Sequence, residues 1–188
     1  MTESRPQDAH DPGGRVRIAL PEGVRGMARF SACGRYRYEM GRDWTPGGTP
    51  PRTILFIGMN PSTADETRSD PTCARELGFS RAWGYTRYLK GNVLSWRATN
   101  PRDLPHDPDL AQGPETLDSL ARLAAQSEMI LMATGRLHRR YADKISETTA
   151  AMAATGLPLM CLGTNADGSP KHPLYLRKDL LPVPWPDS

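Results

Sequence analysis

Two polar side chains in this sequence lie in loop-like segments where they could act on a ligand. Asn60 lies in the segment Gly58-Met59-Asn60-Pro61, and its amide can orient a water molecule or bind an amide-like edge. His172 lies in a segment of polar residues and prolines, where a core histidine is not expected. A histidine there can change charge near neutral pH or donate a hydrogen bond to a developing anion. We therefore take Asn60 and His172 as the candidate catalytic residues.

The residues near these two, and at the ends of other predicted strands, are candidate ligand contacts. The candidate substrate-binding residues are Gly58, Met59, Pro61, Ser62, Arg97, Thr134, Pro173, Leu174 and Tyr175. Gly58 would allow a ligand to approach the backbone closely, and Pro61 would stiffen the loop. Leu174 and Tyr175 could stack against a base, or they could anchor the C-terminal segment to the core.

Some of these residues also have a purely structural interpretation. Ser62 and Asp65 have the spacing of a helix capping box, which is the interpretation we favour for that pair. Arg97 could bind a phosphate or a carboxylate, or it could be a surface residue paired with an acid such as Asp103. The basic run at residues 136–140 is typical of a solvated helix face.

The hydrophobic pattern indicates the elements that would bring the candidates together. Apolar runs predict four strands, at residues 53–58, 92–96, 129–133 and 157–163. Start and stop signals predict the intervening helices, at about 70–83, 113–124 and 137–156. This alternation is typical of a parallel sheet with helices on both faces, where ligands bind beyond the carboxyl ends of the strands.

We therefore predict an α/β fold, a three-layer α/β/α domain around a four-stranded parallel sheet. Alternating patterns at residues 15–20 and 36–40 add a short N-terminal appendage of antiparallel strands. The length of 188 residues suits one domain. We place it at residues 15–188, after a disordered leader at residues 1–14.

Composition excludes several classes of protein. The apolar runs are short compared with the ~20 residues that a membrane helix needs, so we expect no membrane association. Three cysteines without a C-x-x-C pair and four scattered histidines predict no disulfide framework, no metal site and no cofactor. The polar N-terminus and the cysteine usage together predict a cytoplasmic protein. The sequence also lacks the phosphate-loop, dinucleotide-binding, zinc-hydrolase and serine-hydrolase motifs.

The basic residues leave the partner open. Arginine outnumbers lysine twenty to four, and the formal net charge is +3. Arginine suits phosphates and stacks on planar bases, although a GC-rich genome also enriches it. DNA or a nucleotide is therefore a permitted partner, and the oligomeric state is not indicated.

A set of short motifs makes the chain similar to a known family. These motifs are Tyr36-Arg37-Tyr38, Asn60-Pro61-Ser62-Thr63-Ala64-Asp65, Asp70-Pro71-Thr72, Trp83-Gly84-Tyr85, Arg97-Ala98-Thr99-Asn100-Pro101 and Lys171-His172-Pro173-Leu174-Tyr175. Over residues 30–176 the chain resembles a bacterial and phage family, domain-of-unknown-function family 1643. That resemblance implies no activity.

A second resemblance does imply an activity. The layout is similar to that of the uracil-DNA glycosylase superfamily, which has a Gly-x-Asn/Asp-Pro loop after strand one and a His-Pro loop after strand four. By this resemblance Asn60 would position a water molecule, and His172 would stabilise the anionic base as the glycosidic bond breaks. Leu174 or Tyr175 would fill the space left by a flipped base.

The sequence thus supports one leading function and its alternatives. The leading hypothesis is a uracil-DNA-glycosylase-like hydrolase that cleaves the N-glycosidic bond of a base, modified or not, in DNA or in a nucleotide. The alternatives are a small-molecule enzyme on the same scaffold and a module that binds nucleotide or nucleic acid without glycosylase activity.

Overall fold

The fold was analysed in a computed structural model that describes residues 16–136 and 138–185. The strands are β1 (Ile18–Ala19), β2 (Arg25–Phe30), β3 (Arg37–Asp43), β4 (Thr53–Gly58), β5 (Arg68–Ser69), β6 (Arg87–Asn92), β7 (Met129–Met132), β8 (Leu159–Cys161) and β9 (Val183–Pro184). The helices are α1 (Pro71–Ala82), α2 (Pro108–Gln112), α3 (Thr116–Ala124) and α4 (Ala142–Ala153). Short 3₁₀ turns cover Pro101–Asp103, Arg139–Tyr141 and Pro173–Tyr175. The predicted leader at residues 1–14 lies outside the described residues.

One large mixed sheet organises the molecule. Its seven strands have the order β2-β3-β6-β4-β7-β8-β9. The pairings β6–β4, β4–β7 and β7–β8 are parallel, whereas β2–β3, β3–β6 and β8–β9 are antiparallel. The α/β class is therefore confirmed, but the sheet is larger than the predicted four-stranded one and mixed rather than parallel. Strands β2 and β3 belong to this main sheet instead of forming an appendage, whereas β1 pairs antiparallel with β5 in a separate two-stranded sheet.

Strand β4 lies in the middle of this sheet and packs on both faces. Leu55 and Ile57 join a cluster that includes residues of α3 and α4, while Ile54 and Phe56 join a cluster that includes residues of α1. All four side chains are fully buried. A strand covered on both faces needs apolar residues at every position, and this explains the continuous apolar run in the sequence.

Helix α1 begins and ends as its local signals predict. The Asp70 carboxylate accepts a hydrogen bond of 2.8 Å from the backbone N–H of Cys73, and Pro71 occupies the first turn. The helix ends at Ala82 with Trp83 as its C-cap, after which Gly84 adopts a φ of 79°. Of the helices in the described residues, none is both long and apolar enough to cross a membrane.

The second strand lies earlier in the sequence than predicted. The strand is β6, ending at Asn92, whereas the prediction began it there. Val93 and Leu94 donate backbone hydrogen bonds of 2.9 Å to the carbonyls of Gly58 and Met59 instead of continuing the ladder. Both side chains are fully buried, so their apolar character reflects packing of a loop and not a strand. The hydrophobic pattern did not predict β6, because the strand contains Lys90, a charged residue that is buried.

Smaller shifts affect the other elements. The basic run at 136–140 precedes α4 and includes part of the 3₁₀ turn Arg139–Tyr141, so the predicted third helix begins later than expected. The predicted fourth strand, residues 157–163, is shortened to β8, Leu159–Cys161. Strand β2 escaped prediction because its residues are mostly polar or small and only partly buried.

Candidate active site

A cavity of about 270 Å³ opens at the carboxyl ends of β4 and β6. Its lining residues are Arg37, Gly58, Met59, Asn60, Ser62, Asp70, Thr72, Lys90, Asn92, Pro101, Leu104, Thr134, Arg136, His138 and His172. Gly58 ends β4, Asn92 ends β6, and Thr134 follows β7 closely. The parallel pairing of these strands places their ends at one sheet edge, which is where ligands of such sheets bind.

Asn60 ties two loops of the cavity wall together. Its amide nitrogen Nδ2 donates hydrogen bonds to the carbonyls of Ala98, at 2.8 Å, and Pro61, at 3.2 Å. The backbone N–H of Ala98 also donates to the carbonyl of Pro61, at 2.9 Å. Because both hydrogens of the amide have acceptors, the oxygen Oδ1 is the atom of this side chain that can act on a water molecule or ligand.

His172 enters the same cavity from the loop after β8. Its Nδ1 accepts a hydrogen bond of 3.3 Å from the backbone N–H of Leu174, at the start of the turn Pro173–Tyr175. Burial, together with the charge of Lys90, lowers the pKa of the imidazole to about 4 from an ordinary 6.5. At neutral pH the ring is therefore uncharged, and since Nδ1 is the acceptor, its proton is on Nε2.

Four buried side chains form what we call the cavity floor: Arg37, Asp70, Lys90 and Asn92. The Lys90 ammonium lies 2.5 Å from the carboxylate of Glu76, which is fully buried beneath it. Burial alone would lower the pKa of Lys90, but the charge of Glu76 raises it, so Lys90 keeps its proton. Burial would raise the pKa of Asp70, yet the charge of Arg37 and the helix-capping hydrogen bond lower it. Lys90 and Asp70 therefore contribute ionised groups to the floor.

Two amino groups of the floor lack an acceptor. The Nη1 atom of Arg37 donates to the carbonyl of Ala64 at 2.8 Å, but its Nη2 is buried and has no partner among the described residues. Nδ2 of Asn92 is likewise buried without a partner in the described part of the chain. Gly58 leaves room above these groups, because a Cβ there would lie 2.7 Å from Nδ2 of Asn92. Buried donors are normally satisfied, so these two indicate a missing acceptor.

The structure brings together several of the predicted site residues. Gly58, Met59, Asn60, Ser62, Thr134 and His172 all line the cavity. Ser62 shares a hydrogen bond of 2.8 Å with the hydroxyl of Thr99, and no helix begins after it. Asp65 instead accepts backbone N–H bonds from Thr67 and Arg68, at 2.8 and 2.9 Å. The predicted capping box is therefore wrong, because Asp65 closes a local turn and Asp70 caps the helix.

Arg97 and Pro61 are absent from the cavity lining. The Arg97 side chain is 4% exposed, donates a hydrogen bond of 3.0 Å to the carbonyl of Gly34, and has its guanidinium 5.0 Å from the ring centre of Phe30. It is neither a surface residue nor among the residues that line the cavity. Pro61 is buried, and its backbone carbonyl accepts hydrogen bonds from the Asn60 amide and from the backbone N–H of Ala98.

The residues after His172 spread over different surroundings. Pro173 is buried. Leu174 lines a groove along α1, together with Phe79 and Ala82. Tyr175 is 89% exposed, so it lies next to the cavity in the chain and projects into solvent.

Sequence reasoning missed the cavity floor. Asp70 was recognised only as a helix cap, and Asn92 was placed at the wrong end of its strand. The position of Lys90 between Leu89 and Gly91 is the signal that could have identified it as a site residue. A lysine buried in a strand needs a partner or a ligand. The cavity lining also includes Arg136 and His138 from the run interpreted as a solvated face.

A family model described as a protein of unknown function, DUF1643, matches residues 37–174, most of the chain. The chain belongs to this family. The region matched by DUF1643 begins at Arg37 and extends past His172, so it contains every residue that lines the cavity. Among curated proteins and solved structures, none shows significant similarity to the chain. The DUF1643 description assigns no activity, and the function has to be argued from the site.

The donor groups of the site also bear on metal binding. Among the described residues, no three His, Cys, Asp or Glu side chains are grouped so that they could hold a metal ion. The lining of the cavity offers hydrogen-bond donors, the Asp70 carboxylate, an amide oxygen and a neutral imidazole.

Proposed function

We propose that this protein is a hydrolase that cleaves the N-glycosidic bond of a base, modified or not, in DNA or in a nucleotide. The observation that carries the proposal is that Asn60 and His172, far apart in the sequence, line one cavity at the carboxyl edge of the sheet. Both side chains are fixed by backbone hydrogen bonds, so each has a defined orientation. The likeness of these two loops to those of uracil-DNA glycosylases adds to the proposal.

His172 would act on the leaving base. When the bond between C1′ of the sugar and the base nitrogen breaks, the base leaves with the electron pair and becomes an anion. A neutral imidazole with its proton on Nε2 can donate a hydrogen bond to the developing oxyanion without first losing a proton. Donors of this kind contribute about 10²–10³ to the rate in other enzymes. The nearby Lys90 ammonium adds a favourable positive field.

Asn60 would orient the water molecule that attacks the sugar. Its Oδ1 can accept one hydrogen bond from water, which directs a lone pair of the water oxygen toward C1′. The water oxygen forms the new bond to C1′, and its proton ends on the departing base or on solvent. The products are a free base and a sugar with a hydroxyl at C1′. An amide is not a general base, so this role is positioning.

A base within a duplex reaches such a cavity only after it leaves the stack. Tyr175 projects into solvent from the loop that carries His172, whereas Leu174 lines a groove along α1. An exposed aromatic side chain such as Tyr175 could enter the gap in the duplex, as wedge residues of other DNA-binding proteins do. This surface favours DNA, whereas a free nucleotide would not need it.

The main alternative is a protein on the same fold that binds a nucleotide or small molecule without cleaving it. The amide of Asn60 favours this alternative, because the side chain that would position the water molecule cannot act as a general base, as a carboxylate at that position could. The two proposals share a ligand and differ in whether a product forms.

The test is release of free base. The purified protein is incubated with oligonucleotides that contain uracil, mismatched thymine, or oxidised or hypermodified bases, and with free nucleotides. Mass spectrometry detects the free base together with the abasic strand or the sugar phosphate. We expect product from at least one substrate and a loss of about 10²–10³ in rate for His172→Ala, with a comparable loss for Asn60→Ala. His106→Ala removes an exposed histidine outside the cavity and serves as the matched control.

Either of two results would overturn the proposal. One is product formation at an unchanged rate in the two cavity variants. The other is a folded protein that releases no base from any substrate, which supports the alternative. Melting curves of all variants show whether a loss of activity reflects loss of the fold.

A further inference from the structure

The cavity floor has more hydrogen-bond donors than the protein itself uses. Arg37 and Asn92 are each 2% exposed, and each has a buried amino group without an acceptor among the described residues. The Lys90 ammonium has three N–H groups, so its bond to Glu76 leaves capacity for a ligand oxygen. Gly58 keeps the approach open, since a Cβ there would lie 2.7 Å from the Asn92 amide nitrogen and 3.2 Å from the Lys90 ammonium.

From these donors we propose that the ligand carries an anionic oxygen group, a carboxylate or a phosphate, which binds at the floor between Arg37, Lys90 and Asn92. The inference rests on the proposed function for the rest of the ligand, a base or nucleotide. It deepens that proposal by naming the substrate class: an acidic modified base, or a free nucleotide that enters with its phosphate first.

The charges around the cavity agree with an anionic ligand. Arg37, Lys90 and Arg136 contribute three positive charges to the lining, and among the described lining residues Asp70 contributes the acidic one. Glu76 lies beneath Lys90 and adds a second negative charge. The ionised groups therefore leave an excess of one positive charge, which one anionic group of a ligand balances.

An uncharged base would use these groups poorly. The amide-like edge of a pyrimidine alternates donors and acceptors, whereas Arg37, Lys90 and the Asn92 amino group can only donate. A carboxylate or phosphate presents several acceptor oxygens, and the planar guanidinium suits such groups well. Asp70 uses its oxygen Oδ1 to cap α1, and the positive charges of the lining still outnumber the charge of its carboxylate.

The experiment is calorimetric titration of the full-length protein with matched pairs of probes. One pair is 5-carboxyuracil and the uncharged 5-hydroxymethyluracil, and the other is uridine monophosphate and uridine. We expect the anionic member of one pair to bind about tenfold or more tightly than its neutral partner, as one charged hydrogen bond provides. The pair that shows the gain identifies the source of the charge, a base substituent or a phosphate.

Two variants test the floor itself. Asn92→Asp keeps the size of the side chain and replaces a donor with a negative charge, so it should abolish the preference for the anionic probe. Arg136→Ala changes an exposed lining residue and should weaken anion binding severalfold without a risk to the fold. Arg139→Ala removes an exposed arginine outside the cavity lining and should bind as the unaltered protein does.

The outcomes separate this inference from the proposed function. Equal affinity within both probe pairs, or an unchanged anion preference in Asn92→Asp and Arg136→Ala, overturns the inference even if uracil is released from DNA. A clear anion preference without base release from any oligonucleotide or from uridine monophosphate supports the inference and overturns the glycosylase.

Discussion

The buried pair of Lys90 and Glu76 allows the strongest test of how the floor is built. The two side chains are 5% and 0% exposed and lie 2.5 Å apart. Removal of one partner leaves the other as a buried, unpaired charge, which costs about 3–5 kcal/mol. We therefore expect Lys90→Met to lower the free energy of unfolding by that amount, a large part of the ~5–15 kcal/mol that holds a typical domain.

Removal of both charges should have a much smaller effect. Buried ion pairs replaced by apolar side chains of similar volume are often neutral or stabilising by about 1–4 kcal/mol. The double variant Lys90→Met/Glu76→Leu should thus regain most of the stability that Lys90→Met loses. For a chain of this size about 1 kcal/mol corresponds to roughly 2–4 °C in Tm, so the single variant should melt about 6–20 °C lower.

The assay is urea unfolding followed by tryptophan fluorescence and circular dichroism, with coincident transitions as the check for two-state behaviour. Lys144→Met is the matched control, because Lys144 pairs with the exposed Asp109 at 2.6 Å and with Glu147 at 3.2 Å near the surface. Such surface pairs contribute about 0–1 kcal/mol. A loss below ~1 kcal/mol for Lys90→Met, or a double variant no more stable than Lys90→Met, would refute the reasoning.

The same double variant separates structure from function. If Lys90 serves only to neutralise Glu76, the folded double variant binds the anionic probe as the original protein does. If Lys90 holds the ligand, the double variant folds and loses much of that affinity. The stability measurement and the titration therefore answer different questions about one residue.

Four further perturbations have defined outcomes. Burial lowers the pKa of His172 to about 4 from 6.5, so the folded state disfavours its charged form. Stability should therefore fall as pH drops from 6.5 through about 4, and His172→Gln should flatten that part of a plot of urea midpoint against pH. Asp70→Ala removes the N-cap of α1 and should lower the free energy of unfolding by about 0.5–2 kcal/mol. An unchanged urea midpoint would contradict this expectation. Gly58→Ala forces a Cβ into a 2.7 Å contact and should weaken ligand binding in calorimetric titration. Gly78 lies in α1 with open space around it, so Gly78→Ala should raise the free energy of unfolding in urea by about 0.5–1 kcal/mol.

Elements whose local signals agree with their burial could be predicted from the sequence. Strand β4 is apolar at every position because both of its faces are covered, and α1 has its capping aspartate, its proline and its terminal glycine in place. Strand β6 could not be located in this way, because its buried Lys90 and Asn92 read as surface residues while Val93 and Leu94 beyond it are apolar. Residue type reports burial only where no partner or ligand compensates for a buried charge.

Some residues of the candidate site could be predicted from the sequence and others could not. Asn60 and His172 could be proposed because polar residues in glycine- and proline-rich loops near strand ends have few structural reasons to be there. Arg37 could not, because its guanidinium reaches the cavity from β3, an antiparallel strand that the sequence pattern assigned to an appendage. Long-range strand pairing decides such a placement, and neither spacing nor local propensity contains that information.

The arrangement of charge is the feature that a merely stable fold does not require. Four charged side chains are buried and have lost their hydration: Lys90, Glu76, Arg37 and Asp70. Proteins with apolar side chains at such positions are often equally stable or more stable. Buried donors without acceptors add to that cost. Local violations of the rules for stability are expected where function demands them. They converge here on the cavity that Asn60 and His172 line, which argues that the floor, as much as those two residues, defines what this protein binds.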